Sequence, residues 1–225
     1  MLKRDSRIEV IRIISMILIV LFHLTIYSPI NLMYDSLSIN LVFHILFGIY
    51  GKVGVILFVM ISSWFTVSEK KGGYKLNIEK ILILIIKCWF ISFLFLIVFS
   101  FFKIIPIDFK ILVKELLTPI YYDGYNGNYY FITVYILFYL LIPYLNKLVN
   151  NISNRSLKFL VVILTFFVSC YNFINENMGG RILEFIYIYF ATAYLKMNKN
   201  NFLEKNCIKV FFISYFLMIF AIFSR

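Results

Sequence analysis

Residues 8–27 read IEVIRIISMILIVLFHLTIY, an apolar run broken by Arg12 and His23. Twenty helical residues rise about 30 Å, enough to cross the hydrocarbon core of a bilayer. Arginine and histidine are costly at that depth. They usually face a bundle interior or a polar cavity and count as functional candidates. The two are eleven positions apart, which at about 100° per residue is three turns plus roughly 20°. Both side chains therefore share one stripe of the helix, separated by about 16 Å along its axis. They are too far apart to touch, and well placed to line one elongated site.

The rest of the chain repeats the apolar pattern. Of its 225 residues 62% are hydrophobic and only 15% charged, and the mean hydropathy is +0.90. A soluble domain of this size has no means of hiding so much apolar surface. The apolar runs are continuous and near twenty residues long, which excludes the alternating ten-residue strands of a β-barrel. We place seven spans at roughly 8–28, 41–67, 79–102, 129–149, 157–174, 181–195 and 207–224. The expected fold is all-α: a polytopic integral membrane helical bundle of about seven transmembrane helices, forming a single domain over residues 1–225. No small-residue cleavage site closes the first span, so it reads as a retained helix and not a signal peptide. Cys88, Cys170 and Cys207 fall within or at the edge of apolar segments and read as core residues without a disulfide framework.

The net charge of +11 suggests nucleic acid until its distribution is considered. Lys3, Arg4 and Arg7 precede the first span; Lys70, Lys71, Lys75 and Lys80 follow the second. Lys147, Arg155 and Lys158 follow the fourth; Lys196, Lys199, Lys205 and Lys209 follow the sixth. The intervening connections are poorer in basic residues. The positive-inside rule then makes the N-terminus cytoplasmic. The charge is a topology signal whose partner is the anionic lipid bilayer, and nucleic acid is not an expected partner.

Connection 103–128 is the longest on the other side. It ends in Tyr121, Tyr122, Tyr125, Tyr129 and Tyr130, a pattern that fits either an interfacial aromatic belt or a sugar-stacking surface. Imidazole takes up a proton near neutral pH, so His23 is the catalytic candidate, with a hydrogen-bonded structural histidine as the bland alternative. The guanidinium of Arg12 suits a phosphate, against pairing with Glu9 three residues earlier or snorkelling to the interface. His44, at the start of the second span, reads as structural. Lys52 and Lys87 lie deeper in spans two and three, where either would neutralise an anion or a carboxylate. Gly54, Phe58 and Ser62 share a helical face. Close helix packing and a slot for a thin acyl or pantetheine arm both use such a face, and Ser62 is a candidate hydroxyl donor to an oxyanion. No P-loop, dinucleotide-binding glycine fingerprint, GxSxG elbow or metal-ligand spacing occurs, so no metal is expected.

Three stretches resemble the membrane-bound acyltransferase 3 family. The first is Arg7-Ile-Glu-Val-Ile-Arg12 continuing to Leu21-Phe-His23, similar to the family's acidic-x-x-Arg opening and Arg-x10-His pattern. The second is Gly51-Lys-Val-Gly-Val-Ile-Leu-Phe58-Val-Met-Ile-Ser62-Ser-Trp-Phe65. The third is Tyr129-Tyr-Phe131-Ile-Thr-Val-Tyr135, then Tyr139-Leu-Leu-Ile-Pro143-Tyr-Leu-Asn146. Ile56 stands where relatives often carry Asn or Asp, and Tyr130 replaces the usual Trp.

The resemblance covers residues 7–146. It implies a membrane O-acyltransferase that moves an acyl group, usually acetyl, from acyl-CoA (acetyl-CoA) to a hydroxyl of a capsular or other cell-envelope polysaccharide. It makes His23 catalytic and puts Arg12, with Glu9, at the acyl donor. Lys52, Ser62, Lys87 and Tyr130 are then candidates to line the site. It also implies a multi-pass protein of the bacterial cytoplasmic membrane, and family members carry further C-terminal helices beyond the seven spans. Two other readings stay open: a glycan or small-molecule transporter or flippase, and an inactive truncated homologue.

Overall fold

In the computed structural model the described residues are 6–26, 39–67, 74–103, 108–117, 130–174 and 180–198. They form seven helices: α1 Ser6–Ile26, α2 Ile39–Thr66, α3 Tyr74–Phe101, α4 Phe109–Leu117, α5 Tyr130–Asn151, α6 Asn154–Ile174 and α7 Gly180–Met197. No strand occurs among the described residues. The protein is an all-α membrane bundle. The first six expected spans are α1, α2, α3, α5, α6 and α7, while the expected span 207–224 lies outside the described residues.

Two corrections follow. The connection 103–128, which lies outside every expected helix, contains α4. At nine residues α4 is about 14 Å long, too short to span, and below any twenty-residue apolar window. Phe109, Val113, Leu116 and Leu117 nonetheless form one apolar stripe along it, and all four are exposed. The Trp89 indole N–H donates to the Leu116 carbonyl at 2.9 Å and ties α4 to α3. Among the described residues the count of spanning helices is also lower than the expected seven or so. By length and composition, three helices among the described residues qualify, over Ile8–Thr25, Ile78–Phe101 and Phe131–Asn151, with Val53–Thr66 as a shorter apolar stretch. In the 18 residues of α7 the charged Arg181, Glu184 and Lys196 cut the apolar content. In α6, Asn154, Arg155, Ser156 and Lys158 occupy the first turns.

The lipid-facing surface is plain in what is left uncovered. Ile13, Ile17, Val20 and Leu24 of α1, and Ile83, Ile86, Phe90 and Ile97 of α3, are all exposed. In water such surface would drive aggregation; in a bilayer it is the normal exterior. The core lies instead among α2, α5, α6 and α7, where Val59, Phe138, Ile142, Val149, Leu157 and Tyr189 are almost completely buried. Phe138 packs edge-on against Phe185 and Tyr189, with ring centroids 5.7 and 6.1 Å apart.

Helix directions follow from the contacts. Phe58 meets Phe131, Ser62 meets Tyr135 and Thr66 meets Asn146, so α2 and α5 run parallel. Phe131 meets Phe185 and Asn146 meets Tyr189, so α7 runs parallel to both. Helix α1 runs the other way along α2, with Arg12 against Phe65 and Phe22 against Gly51. The start of α1 and the ends of α2, α5 and α7 therefore share one end of the bundle. This is the grouping that the alternating basic residues predict.

Small residues set the spacing of α1 and α2. A Cβ at Gly54 would lie 2.8 Å from the Ser15 carbonyl oxygen and 3.0 Å from Leu18 Cβ, and one at Gly51 would run into the Phe22 ring. Without a hydrophobic force to join helices inside lipid, such close backbone approach is what holds a pair together.

Candidate active site

Arg12 lies on the second turn of α1. Helical side chains tilt toward the N-terminus, and Arg12 follows that tilt to sit over the Phe65 ring of α2, 5.7 Å from its centroid. Its Nη1 donates to both Glu9 carboxylate oxygens, at 3.2 and 3.1 Å. The pair is part-buried, at 39% and 37% exposure. An ion pair this exposed adds little stability, but it does fix the guanidinium over α2. Among the described residues Glu9 engages a single nitrogen, and the fork geometry of arginine leaves Nη2 and Nε to meet a second acidic group.

His23 lies near the other end of α1, also half-buried. Its Nδ1 is 2.7 Å from the Ile19 carbonyl oxygen one turn earlier. A carbonyl only accepts, so Nδ1 carries the hydrogen, and in the neutral ring Nε2 then bears the lone pair. The ring meets Phe22 edge-on at 5.6 Å, and Phe22 packs on Gly51. Ser15 and Thr25, on the face of α1 turned to α2, are buried and satisfy their hydroxyls within α1, on the Arg12 and Phe22 carbonyls at 2.7 Å each. By helical angle Arg12 and His23 flank that face on the same side. The shared stripe expected from their spacing is therefore the border of the α1–α2 interface.

The structure places Ser62 one turn from the Phe65 ring that Arg12 covers, and away from His23. Ser62 is three residues before Phe65, hence its neighbour on the α2 surface. Its Oγ is 3.0 Å from the Phe58 carbonyl and 3.0 Å from the Tyr135 hydroxyl of α5. Tyr135 in turn donates to the Tyr139 hydroxyl at 3.1 Å. Gly51, at the level of His23, is eleven residues from Ser62, or about 16 Å along α2. The hydroxyl ladder thus belongs to the arginine end. Lys87 is exposed on α3, a helix that packs against α5 and α4. The side chains of Lys52, Tyr130 and His44 lie outside the described residues, as does the tyrosine-rich segment 121–129.

The family model of the acyltransferase 3 group, an acyltransferase domain, matches residues 5–224. The chain belongs to that family. This acyltransferase 3 protein is therefore a membrane acyltransferase. No curated protein and no solved structure matches it. The family match extends well past Asn146, where the motifs quoted above stop, and takes in α6 and α7.

That extension matters, because α7 supplies polar contacts that the sequence did not reveal. In the acyltransferase 3 bundle, Lys196 Nζ donates to the Trp64 and Val67 carbonyls at 2.6 and 2.8 Å and sits over the Trp64 ring. Asn146 Nδ2 donates to the Thr66 carbonyl at 2.9 Å, and the Tyr189 hydroxyl donates to Asn146 Oδ1 at 2.6 Å. The last turn of a helix has no internal partners for its carbonyls. Here α5 and α7 supply them, and so clamp the turn that carries Phe65 beneath Arg12. Lys196 read only as a topology charge, and Asn146 only as a motif letter. The available signal was a lysine closing α7 after eleven uncharged residues.

Proposed function

We propose that this membrane acyltransferase transfers an acetyl group from acetyl-coenzyme A to a hydroxyl of a cell-envelope glycan, capsular polysaccharide being the favoured class, in the cytoplasmic membrane of a bacterium. The observation that carries this reading is the common border on which Arg12 and His23 lie, with the hydroxyl ladder of Ser62, Tyr135 and Tyr139 one turn from the ring under Arg12. Coenzyme A is long, with phosphates at one end and a thioester at the other. A site for it needs a cation and polar groups at one end, a thin apolar path, and a base at the far end.

Each part has a counterpart. The guanidinium of Arg12, steadied by Glu9, takes the phosphate end, beside Ser62, Tyr135 and Tyr139. The pantetheine arm runs along the border of α1 and α2, outside the contact that Gly54 and Gly51 close. At the far end the Nε2 lone pair of His23 accepts the proton of the sugar hydroxyl as its oxygen attacks the thioester carbonyl carbon. The carbon–sulfur bond then breaks, and the proton passes from the imidazolium to the departing thiolate. With the N-terminus cytoplasmic, the arginine end faces the compartment that holds acetyl-coenzyme A, and the histidine end faces the glycan.

Purified protein in nanodiscs, given labelled acetyl-coenzyme A and cell-envelope glycan, tests the reading. His23→Ala is expected to bind donor as the parent does and to transfer no acetyl group. Undiminished transfer by that variant would overturn the role of His23.

A further inference from the structure

Where α5 turns into α6 the surface opens into a groove of about 730 Å³. It is lined by Leu148 of α5, by Ile152 in the turn after it, and along α6 by Phe159, Val162 and Ile163. Its polar lining is Arg155, Ser156 and Lys158, and none of the described residues lining it is acidic. Ser153 caps α6 there, its Oγ accepting from the Ser156 N–H at 3.1 Å, which adds the positive end of the helix dipole. The groove sits at the end of the bundle shared by the α1 start and the α2 end, and it belongs to neither helix.

We propose that this groove is a binding site for one acidic glycerophospholipid. Its layout is amphipathic along the membrane normal. Arg155 and Lys158 lie in the first turns of α6, and Phe159, Val162 and Ile163 follow one to two turns deeper on the adjoining face. A phosphate fits the basic end, and the start of an acyl chain fits the apolar wall. Arg155, Lys158, Phe159 and Val162 are all exposed, and Arg155 and Lys158 appear in none of the ion pairs between described residues. A soluble phosphate would use the cations and leave the wall idle. A zwitterionic lipid would use the wall and gain little from the cations. The acidic lipid uses both. Each basic residue near an anionic membrane favours binding by about fivefold, so the pair is expected to give roughly a thirtyfold preference.

Native mass spectrometry of the purified full chain, with phosphatidylglycerol or phosphatidylcholine added to the detergent, measures this preference. The parent is expected to retain one phosphatidylglycerol in strong preference to phosphatidylcholine. Arg155→Ala with Lys158→Ala should abolish the preference, and Arg155→Lys with Lys158→Arg should keep it. Lys80→Ala with Lys110→Ala removes the same charge from α3 and α4 and should also keep it. Equal loss in that control would reduce the effect to net charge and overturn the site. Displacement of the lipid by millimolar glycerol phosphate would overturn the role of the apolar wall. Loss of a dimer instead of a lipid adduct in the Arg155/Lys158 variant would assign the groove to a second copy of the chain, and overturn the lipid.

Discussion

The hydroxyls of Ser62 and Tyr135 lie 3.0 Å apart although 73 positions separate the two residues in the chain. Inside a bilayer a hydroxyl has no water to turn to, so it finds a partner within the protein. Ser62 does so twice, on Phe58 and on Tyr135, and Tyr135 passes the chain on to Tyr139. One helical turn along α2, Phe65 carries the guanidinium of Arg12. The hydroxyl ladder thereby joins the last turns of α2 to the early turns of α5, one turn from the ring under Arg12. The proposed donor route uses this arrangement: charge and hydroxyls at the entrance, the apolar border of α1 and α2 beyond.

Tyr135→Phe tests the ladder. The ring keeps its packing between Phe58 and Phe131, and only the oxygen is lost. A hydrogen bond between membrane helices contributes about 0.6 kcal/mol on average, so thermal unfolding in detergent should shift little. The KM for acetyl-coenzyme A should rise by roughly fivefold, the equivalent of about 1 kcal/mol for one lost hydrogen bond. Steady-state kinetics with both substrates varied would show it.

Arg12→Lys separates charge from shape. Lysine keeps the attraction to Glu9 but loses the planar fork that grips a phosphate. If Arg12 holds the donor in ground and transition states alike, KM rises by about tenfold while kcat stays within about twofold. A fall in kcat at unchanged KM would instead put Arg12 at the reacting carbonyl, against the 16 Å that the helix sets between it and His23.

Two glycines hold α1 against α2, and neither should tolerate a methyl group. At Gly54 the added methyl meets the backbone oxygen of Ser15, which cannot retreat without moving α1. Gly54→Ala should cost about 1–3 kcal/mol, in the range of core overpacking, and reduce transfer. At Gly51 the added methyl would overlap Phe22 Cβ as well as the ring, and Cβ is fixed to the α1 backbone, so no change of rotamer relieves the clash. Gly51→Ala should therefore destabilise at least as much as Gly54→Ala in thermal unfolding. It should also slow transfer, because Phe22 is the ring against which His23 is set.

Much of this was legible beforehand, for identifiable reasons. Span length and apolar continuity are properties of single helices, so α1, α2, α3, α5, α6 and α7 could be placed from composition. The Arg12–His23 stripe was readable because both residues share one helix, where spacing alone fixes angle and rise. The Ser62–Tyr135 bond joins two helices whose rotations about their own axes no spacing determines. The grip of Lys196 on Trp64 and Val67 is hidden more deeply, since it uses backbone carbonyls that every residue has. Helix α4 was missed because its nine residues are flanked by Pro106 and Pro119, which read as loop punctuation, while its apolar stripe of Phe109, Val113, Leu116 and Leu117 follows a helical period too briefly to stand out.

Lys196→Met probes the clamp on α2. Methionine matches the length of the lysine stem and keeps helix propensity high, but it leaves the Trp64 and Val67 carbonyls without their donor. Losing the partner of a part-buried carbonyl costs about 1–3 kcal/mol, and thermal unfolding in detergent should fall accordingly, with Lys196→Arg restoring most of it. The effect should also reach the site. The freed turn carries Phe65, and Phe65 is the surface on which Arg12 rests. Donor KM in Lys196→Met should therefore rise in the parent background but not further in Arg12→Lys, since the two changes damage the same contact. Additive losses in the double variant would mean that the clamp supports the fold alone, with no bearing on how the guanidinium is held.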